Sequence, residues 1–191
     1  GPVSQFLLPW PADRRQSRAA ALPRGPVALP WSDGEAAHEL SIAEREHRIL
    51  TAYAQSRTLW VDAWLRFYRM VYRESVARLE GLAAALTASL PVRDPTECAR
   101  QVQSWVQGFT YERDVEGLDF VPPFAAAFGR RGDCDARAMV MAMILESMGI
   151  DCILMLSREY SHAMLGVDVP GGGVRFEFEG RKYLVAETTA K

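Results

Sequence analysis

Cysteine and histidine are both scarce in this chain. Only three cysteines, Cys98, Cys134 and Cys152, occur among 191 residues. An odd number in a chain of this length does not read as a disulfide scaffold. No two stand at C-x-x-C spacing, which argues against a thiolate zinc site. The histidines are His38, His47 and His162, so a mechanism that needs imidazole has few candidates. No apolar run approaches the roughly 20 residues of a membrane-spanning helix. A formal charge of −2 exerts no general pull on nucleic acid or anionic lipid. No signal peptide, internal repeat or low-complexity tract is visible. The Gly1-Pro2 start reads as a scar of tag removal. Membrane association is expected only through segments outside this sequence, and an extracytoplasmic location, periplasmic or membrane-tethered, is the expectation.

What is present is enough to fold. With 49% hydrophobic and 24% charged residues, the chain can bury an ordinary core. Residues 1–34 hold six of the eleven prolines and are expected to be extended or irregular, because proline resists helix interiors and central strands. Residues 35–93 read as a helical region. Ser41-Ile42-Ala43-Glu44 has the form of a capping box, where a helix starts or restarts. Leu59, Trp60, Ala63, Trp64, Phe67, Met70, Val71, Leu79, Leu82 and Leu86 recur at helical spacing and predict one apolar stripe. Arg66, Arg69, Arg73, Glu74, Arg78 and Glu80 lie opposite, and Pro91 stops the helix. This helical region is also where a protein partner would dock.

The remainder, residues 94–191, reads as the functional core. Asp94-Pro95-Thr96-Glu97 signals a new helix with Asp as cap and Pro in the first turn, running to about Gln107 before Gly108. Phe109-Thr110-Tyr111 is expected to be extended, followed by a loop through Pro122-Pro123. A buried helix is predicted over 136–147, closed by Gly149. Strands are predicted over 152–156, 162–169, 174–178 and 183–188, with Pro170-Gly171-Gly172-Gly173 as a hairpin turn between the second and third. Helices first, then a core helix and an antiparallel meander, make an α+β fold.

The chemistry centres on Gly132-Asp133-Cys134-Asp135, directly before the buried helix. Free amides and the helix dipole at such a start favour a thiolate. Gly132 lets the backbone turn sharply into the helix. Cys152, inside an apolar strand, reads as inert core. His162 opens a strand whose antiparallel return can bring it back to the helix start as the base. Glu187 is the preferred third member, fixing the imidazole tautomer. Asp168 shares a strand face with His162, but six residues on, about 20 Å at 3.3 Å per residue. Asp133 and Asp135 read as helix caps, and His38 and His47 as occupants of a solvated helix face. Cys134, Asp135 and His162 lack a recognisable metal spacing. The triple glycine is too short for a phosphate loop.

Gly132-Asp133-Cys134-Asp135-Ala136-Arg137-Ala138, the helix end Met148-Gly149-Ile150-Asp151, the His162 strand and Tyr183-Leu184-Val185-Ala186-Glu187-Thr188-Thr189 resemble the core of the transglutaminase-like superfamily. The resemblance covers about residues 100–190. It implies a papain-type triad of Cys134, His162 and Glu187, although the family more often has Asp at the third place. It implies an antiparallel sheet against the Cys helix, and thioester chemistry without a cofactor. It also implies an oxyanion donor from the segment before the Cys loop: Gln107 is the candidate, with Trp105 and Tyr111 open. The expected activity is hydrolysis or acyl transfer on amides of a protein or peptide, proteolysis or amide hydrolysis rather than cross-linking. Two rivals stand beside it: a non-catalytic interaction module, and an enzyme inhibited by its segment 1–34.

Overall fold

The computed structural model describes residues 16–113 and 118–189, and they form an α+β fold. Residues 1–15, including the apolar Phe6-to-Trp10 stretch and the tag-scar reading of Gly1-Pro2, lie outside the described residues. The elements are β1 (Gln16–Leu22), β2 (Gly25–Trp31), α1 (Asp33–Tyr53), α2 (Trp60–Ser89), α3 (Pro95–Gln107), α4 (Pro123–Gly129), α5 (Cys134–Ser147), β3 (Cys152–Ser157), β4 (His162–Val167), β5 (Arg175–Phe178) and β6 (Arg181–Ala186). Among the described residues no helix is long and apolar enough to cross a membrane.

The proline-rich segment is extended where it is described, as expected, and more regular than its prolines suggest. From Gln16 it is a regular antiparallel hairpin, β1 with β2. Pro26 faces Ala21 and Pro30 faces Ser17 in the ladder. The Ala21 carbonyl is turned outward, where it accepts from Trp105 Nε1 at 2.9 Å. The ladder alternates, so both prolines occupy positions whose N–H would point away from the partner strand, and the missing donors cost nothing in pairing. Ala20, Leu22 and Trp31 are buried. Trp31 stacks on Phe124 at 4.7 Å between ring centroids and meets Phe128 edge-on at 5.0 Å.

One correction concerns Ser41, where the first helix neither starts nor restarts. The cap of α1 is Ser32, whose Oγ accepts from the Glu35 amide at 3.1 Å. The helix passes Ser41 without a break, and the Ser41 hydroxyl donates to the His38 carbonyl. α2 buries Ala63, Phe67, Val71, Leu79, Leu82 and Leu86, as the stripe predicts, whereas Leu59 at its start is exposed. α4 occupies part of the predicted loop. Pro123 sits in its first turn, where a missing N–H is harmless, and Phe124 and Phe128 are buried. α3 spans Pro95–Gln107, and Asp94 Oδ1 accepts from the Glu97 amide at 2.9 Å.

α5 is the centre of the fold. Ala136 through Leu145 are all buried, because α2, α3 and α4 surround the helix on one side and β3 and β4 on the other. Gly149 follows with φ of +78°, the left-handed position that ends many helices. The sheet against α5 is antiparallel in the order β3-β4-β6-β5, so the predicted meander is corrected. The Pro170–Gly173 segment does not form a hairpin between β4 and β5, which are not neighbours. Gly171 and Gly173 take φ of +116° and +140° and swing the chain out to the sheet edge. Glu179 and Gly180, with φ of +49° and +78°, then turn it tightly back. β6 thereby lies between β5 and β4, with Ala186 opposite Leu165.

One buried charge sets a stability prediction. Glu39 is 1% exposed; its Oε1 accepts from the Ser75 hydroxyl and from the Phe124 amide. Burial raises its carboxyl above the ordinary value, against the opposing effect of those hydrogen bonds. The unfolded chain then releases this proton first, so Glu39 removes stability as pH rises from its ordinary pKa through the raised one. Glu39→Gln keeps an acceptor for both donors and is expected to flatten that fall, with a Tm at pH 8 at or above the parent's. A Tm lower by more than about 4 °C, roughly 1 kcal/mol for a chain of this size, would show that the ionised carboxylate is itself required.

Candidate active site

Backbone geometry delivers Cys134 to the head of α5. Gly132 takes φ of +151°, and a Cβ there would stand 2.8 Å from Ala136 Cβ, so the turn excludes a side chain. Asp133 caps the helix: its Oδ1 accepts from the Ala136 amide at 2.9 Å. The Phe109–Tyr111 segment runs beside the Cys loop, with the Thr110 amide on the Arg130 carbonyl at 2.8 Å and the Gly132 amide on the Thr110 carbonyl at 3.0 Å.

The sheet delivers the other two residues. His162 opens β4 opposite Ser157. Glu187 lies one residue past β6, on the strand paired with β4. His162 Nε2 and Glu187 Oε2 are 2.7 Å apart. Glu187 Oε1 accepts from the Thr189 amide and hydroxyl at 2.7 and 2.6 Å. Partial burial works against this carboxylate, but the hydrogen bonds from Thr189 and His162 together outweigh it and hold its pKa below the ordinary value. The stability this contributes is present above the ordinary pKa and is lost as pH falls through the depressed one. With its proton on Nε2, the neutral imidazole presents Nδ1 as acceptor. Asp168, the competitor, lies 3.6 Å from Arg181.

Cys134 and His162 line the same cleft, a cavity of about 260 Å³, together with Tyr68, Tyr111, Asp133 and Asp135. The thiol is not poised as the helix dipole alone would have it. Its Sγ donates to Asp135 Oδ1 at 3.3 Å, and no hydrogen bond joins it to the imidazole. Burial pushes the thiol up to about 12, and the adjacent Asp135 carboxylate adds to the rise; the Ala163 amide opposes it. The expected low-pKa thiolate is therefore corrected to a protonated resting thiol, because desolvation and two neighbouring carboxyl groups raise the pKa. Asp133 is itself raised to about 7 by burial and by Asp135. Asp135 is more than a cap residue, since Tyr68 Oη donates to its Oδ2. Asp135→Asn is expected to move the pH profile of Cys134 alkylation by iodoacetamide toward lower pH. At pH 8 the reaction should then run roughly tenfold faster for every pH unit by which the thiol pKa falls. An unmoved pH profile would remove Asp135 from this account.

Several other expected residues are placed differently. Gln107 does not line the cleft; its Nε2 donates to the Glu187 carbonyl at 2.8 Å, beside Gln103 Nε2 at 2.9 Å. It thus supports the backbone that carries the acid, in place of the expected oxyanion role. Trp105 is buried and bonded to Ala21. Of the three side chains considered, only Tyr111 lines the cleft. The Cys134 amide, at the first helical position, lacks an intrahelical acceptor and can serve a developing oxyanion. His38 is exposed and lies 3.4 Å from Glu74, whereas His47 lines the cleft and packs edge-on to Phe67 at 6.2 Å. Cys152 is half-buried, and burial raises its thiol.

Arg137 is the site residue that sequence reasoning missed. It is 3% exposed and donates to the carbonyls of Phe109 at 2.7 Å, Gly132 at 3.1 Å and Thr188 at 3.3 Å. One guanidinium thus ties together the extended segment, the Cys loop and the strand end beyond Glu187. Among the described residues no group of three or more His, Cys, Asp or Glu is arranged to hold a metal ion. Compared with protein-family models, with curated proteins and with solved structures, the chain matches none of them.

Proposed function

We propose that the chain is a transglutaminase-like cysteine hydrolase or acyltransferase acting on peptide or side-chain amides through a thioester at Cys134. The observation that carries this reading is His162, paired with Glu187 at 2.7 Å, in a cleft it shares with a cysteine at a helix start. An amide carbonyl enters the cleft and displaces solvent from the sulfur. His162 Nδ1 takes the thiol proton as the sulfur attacks, and Glu187 stabilises the imidazolium that forms. The tetrahedral oxyanion is received by the Cys134 amide. The imidazolium then protonates the leaving amine, and the carbon–nitrogen bond breaks to leave the thioester. Water or a second amine, deprotonated by the same imidazole, attacks the thioester and returns the thiol.

A raised thiol pKa is compatible with this sequence, since proton transfer accompanies attack and no resting ion pair is needed. The same observation favours a second reading, the non-catalytic module, because Cys134 directs its proton to Asp135. For the inhibited-enzyme rival, the described part of segment 1–34 packs by Trp31 on α4 and lines no part of the cleft.

The discriminating experiment offers an end-blocked glutaminyl-glycine peptide and follows ammonia and free amine separately. Ammonia reports attack at the side-chain amide, and a new α-amine reports main-chain cleavage. Release of either that disappears in Cys134→Ala supports the enzyme. Equal, background-level release from both proteins, across a panel of peptides, supports the module.

A further inference from the structure

A second cavity adjoins the candidate active site. It is a groove of about 290 Å³ with walls from α2 (Leu65, Tyr68, Tyr72) and β3 (Leu154, Leu156), and a floor of Met139 and Ala142 on α5. Tyr68 and Leu156 line both this groove and the Cys134 cleft, so the two spaces share a wall. Three observations on its surroundings converge.

First, β3 is an edge strand; it pairs with β4 alone. Its ladder alternates. The Asp168 amide reaches the Asp151 carbonyl at 2.9 Å, and the Cys152 amide turns the other way, to Glu146 Oε1 at 2.8 Å. The same alternation turns the N–H and C=O of Leu154 and Leu156 to the open edge. Their side chains line the groove while their backbone groups face outward beside it. Second, Arg69 and Arg73 stand on its rim, one helical turn apart on α2. Both are exposed, and neither makes an ion pair with another described residue. Third, β3 runs from the groove, at Leu154 and Leu156, to the cleft, which Leu156, Ser157 and His162 line.

We infer that this groove and the free edge of β3 bind the amide substrate as an extended peptide, with alternate apolar side chains in the groove and an acidic residue toward Arg69 and Arg73. The inference rests on the cysteine-enzyme reading and deepens it by giving the substrate class. An extended strand satisfies the outward groups of Leu154 and Leu156, places every second side chain in the groove, and leads its backbone to Cys134. An alkyl chain would fill the same volume but draw nothing from those N–H and C=O groups, which would stay with water.

The test measures binding to the Cys134→Ala protein, so that it needs no catalysis. The probe is an end-blocked hexapeptide of alternating valine and glutamate, titrated calorimetrically, with amide hydrogen exchange read at Leu154 and Leu156. Binding with slowed exchange at both amides is expected. Arg69→Glu combined with Arg73→Glu, two surface changes, should weaken it at least tenfold, and a valine–lysine hexapeptide should then bind the reversed surface better than the parent. N-methylation of alternate peptide nitrogens should abolish binding. The inference is overturned if the hexapeptide does not bind, if dodecanoate binds in its place, or if binding survives both charge reversal and N-methylation. Acylation of Cys134 by a small ester is measured independently in the intact protein, so failure of the groove and failure of the catalytic reading give different results.

Discussion

Replacing His162 with alanine is expected to slow acylation of Cys134 at pH 7 by about 10²–10⁴-fold, the range that general-base catalysis commonly supplies. The reason lies in the resting thiol. Its pKa is pushed up to about 12 by burial and by Asp135, so spontaneous thiolate is scarce at neutral pH, and on the proposed reading the imidazole takes the proton during attack. The two proteins should therefore differ in pH dependence as well as in rate. The parent rate should rise less steeply with pH than the variant's. The His162→Ala rate should keep climbing about tenfold per pH unit toward the thiol pKa. Glu187→Gln should lie between them, because the partner 2.7 Å from His162 Nε2 would lose its charge while the ring kept a hydrogen-bond acceptor. Parallel profiles for parent and His162→Ala would mean that the imidazole does not receive the Cys134 proton.

Replacing Arg137 with methionine is expected to cost about 3 kcal/mol or more, since it leaves the carbonyls of Phe109, Gly132 and Thr188 without their donor. For a chain of this size that is a fall in Tm of about 6–12 °C. Burial already lowers the Arg137 pKa from its usual value, so the side chain is retained at a desolvation cost, and three carbonyl acceptors offset it. Lysine should restore little, because one ammonium cannot reproduce the guanidinium fork. Below the new Tm, the methionine variant should also lose Cys134 acylation, as the Cys loop and the Thr188 end of the acid strand are no longer held to one point. A Tm within about 2 °C of the parent, less than 1 kcal/mol, would mean that the three carbonyls find water instead.

How much of this was legible depends on how local the cause is. The bounds of α3 follow from Asp94, Pro95 and Gly108, each acting within one helical turn, and the sequence shows all three. The strands that carry His162 and Glu187 show in the apolar pattern, but the β4–β6 pairing that brings the two residues together does not. The β1–β2 hairpin was hidden because prolines 26 and 30 look prohibitive until the ladder's parity shows their nitrogens facing outward. The order β3-β4-β6-β5 was hidden because Glu179-Gly180 is the tight hairpin turn, while the more conspicuous Pro-Gly-Gly-Gly run is only a crossing. At the site, the dipole argument for a thiolate is local and holds as far as it goes. What overturns its conclusion is burial together with the placement of Asp135, and both are set by tertiary packing against α2. Arg137 escaped for a related reason: on a helical wheel it is one cation among apolar neighbours, and its three acceptors come from three separate segments.

The most direct measurement of the central claim is a map of all three cysteines after brief exposure to p-nitrophenyl acetate at pH 7, in the parent and in His162→Ala. The account predicts a hydroxylamine-sensitive acetyl group on Cys134 ahead of Cys98 and Cys152 in the parent, and its near-absence from Cys134 in the variant. Acetylation spread evenly over the three thiols, or confined to Cys98 and Cys152 in both proteins, would contradict it.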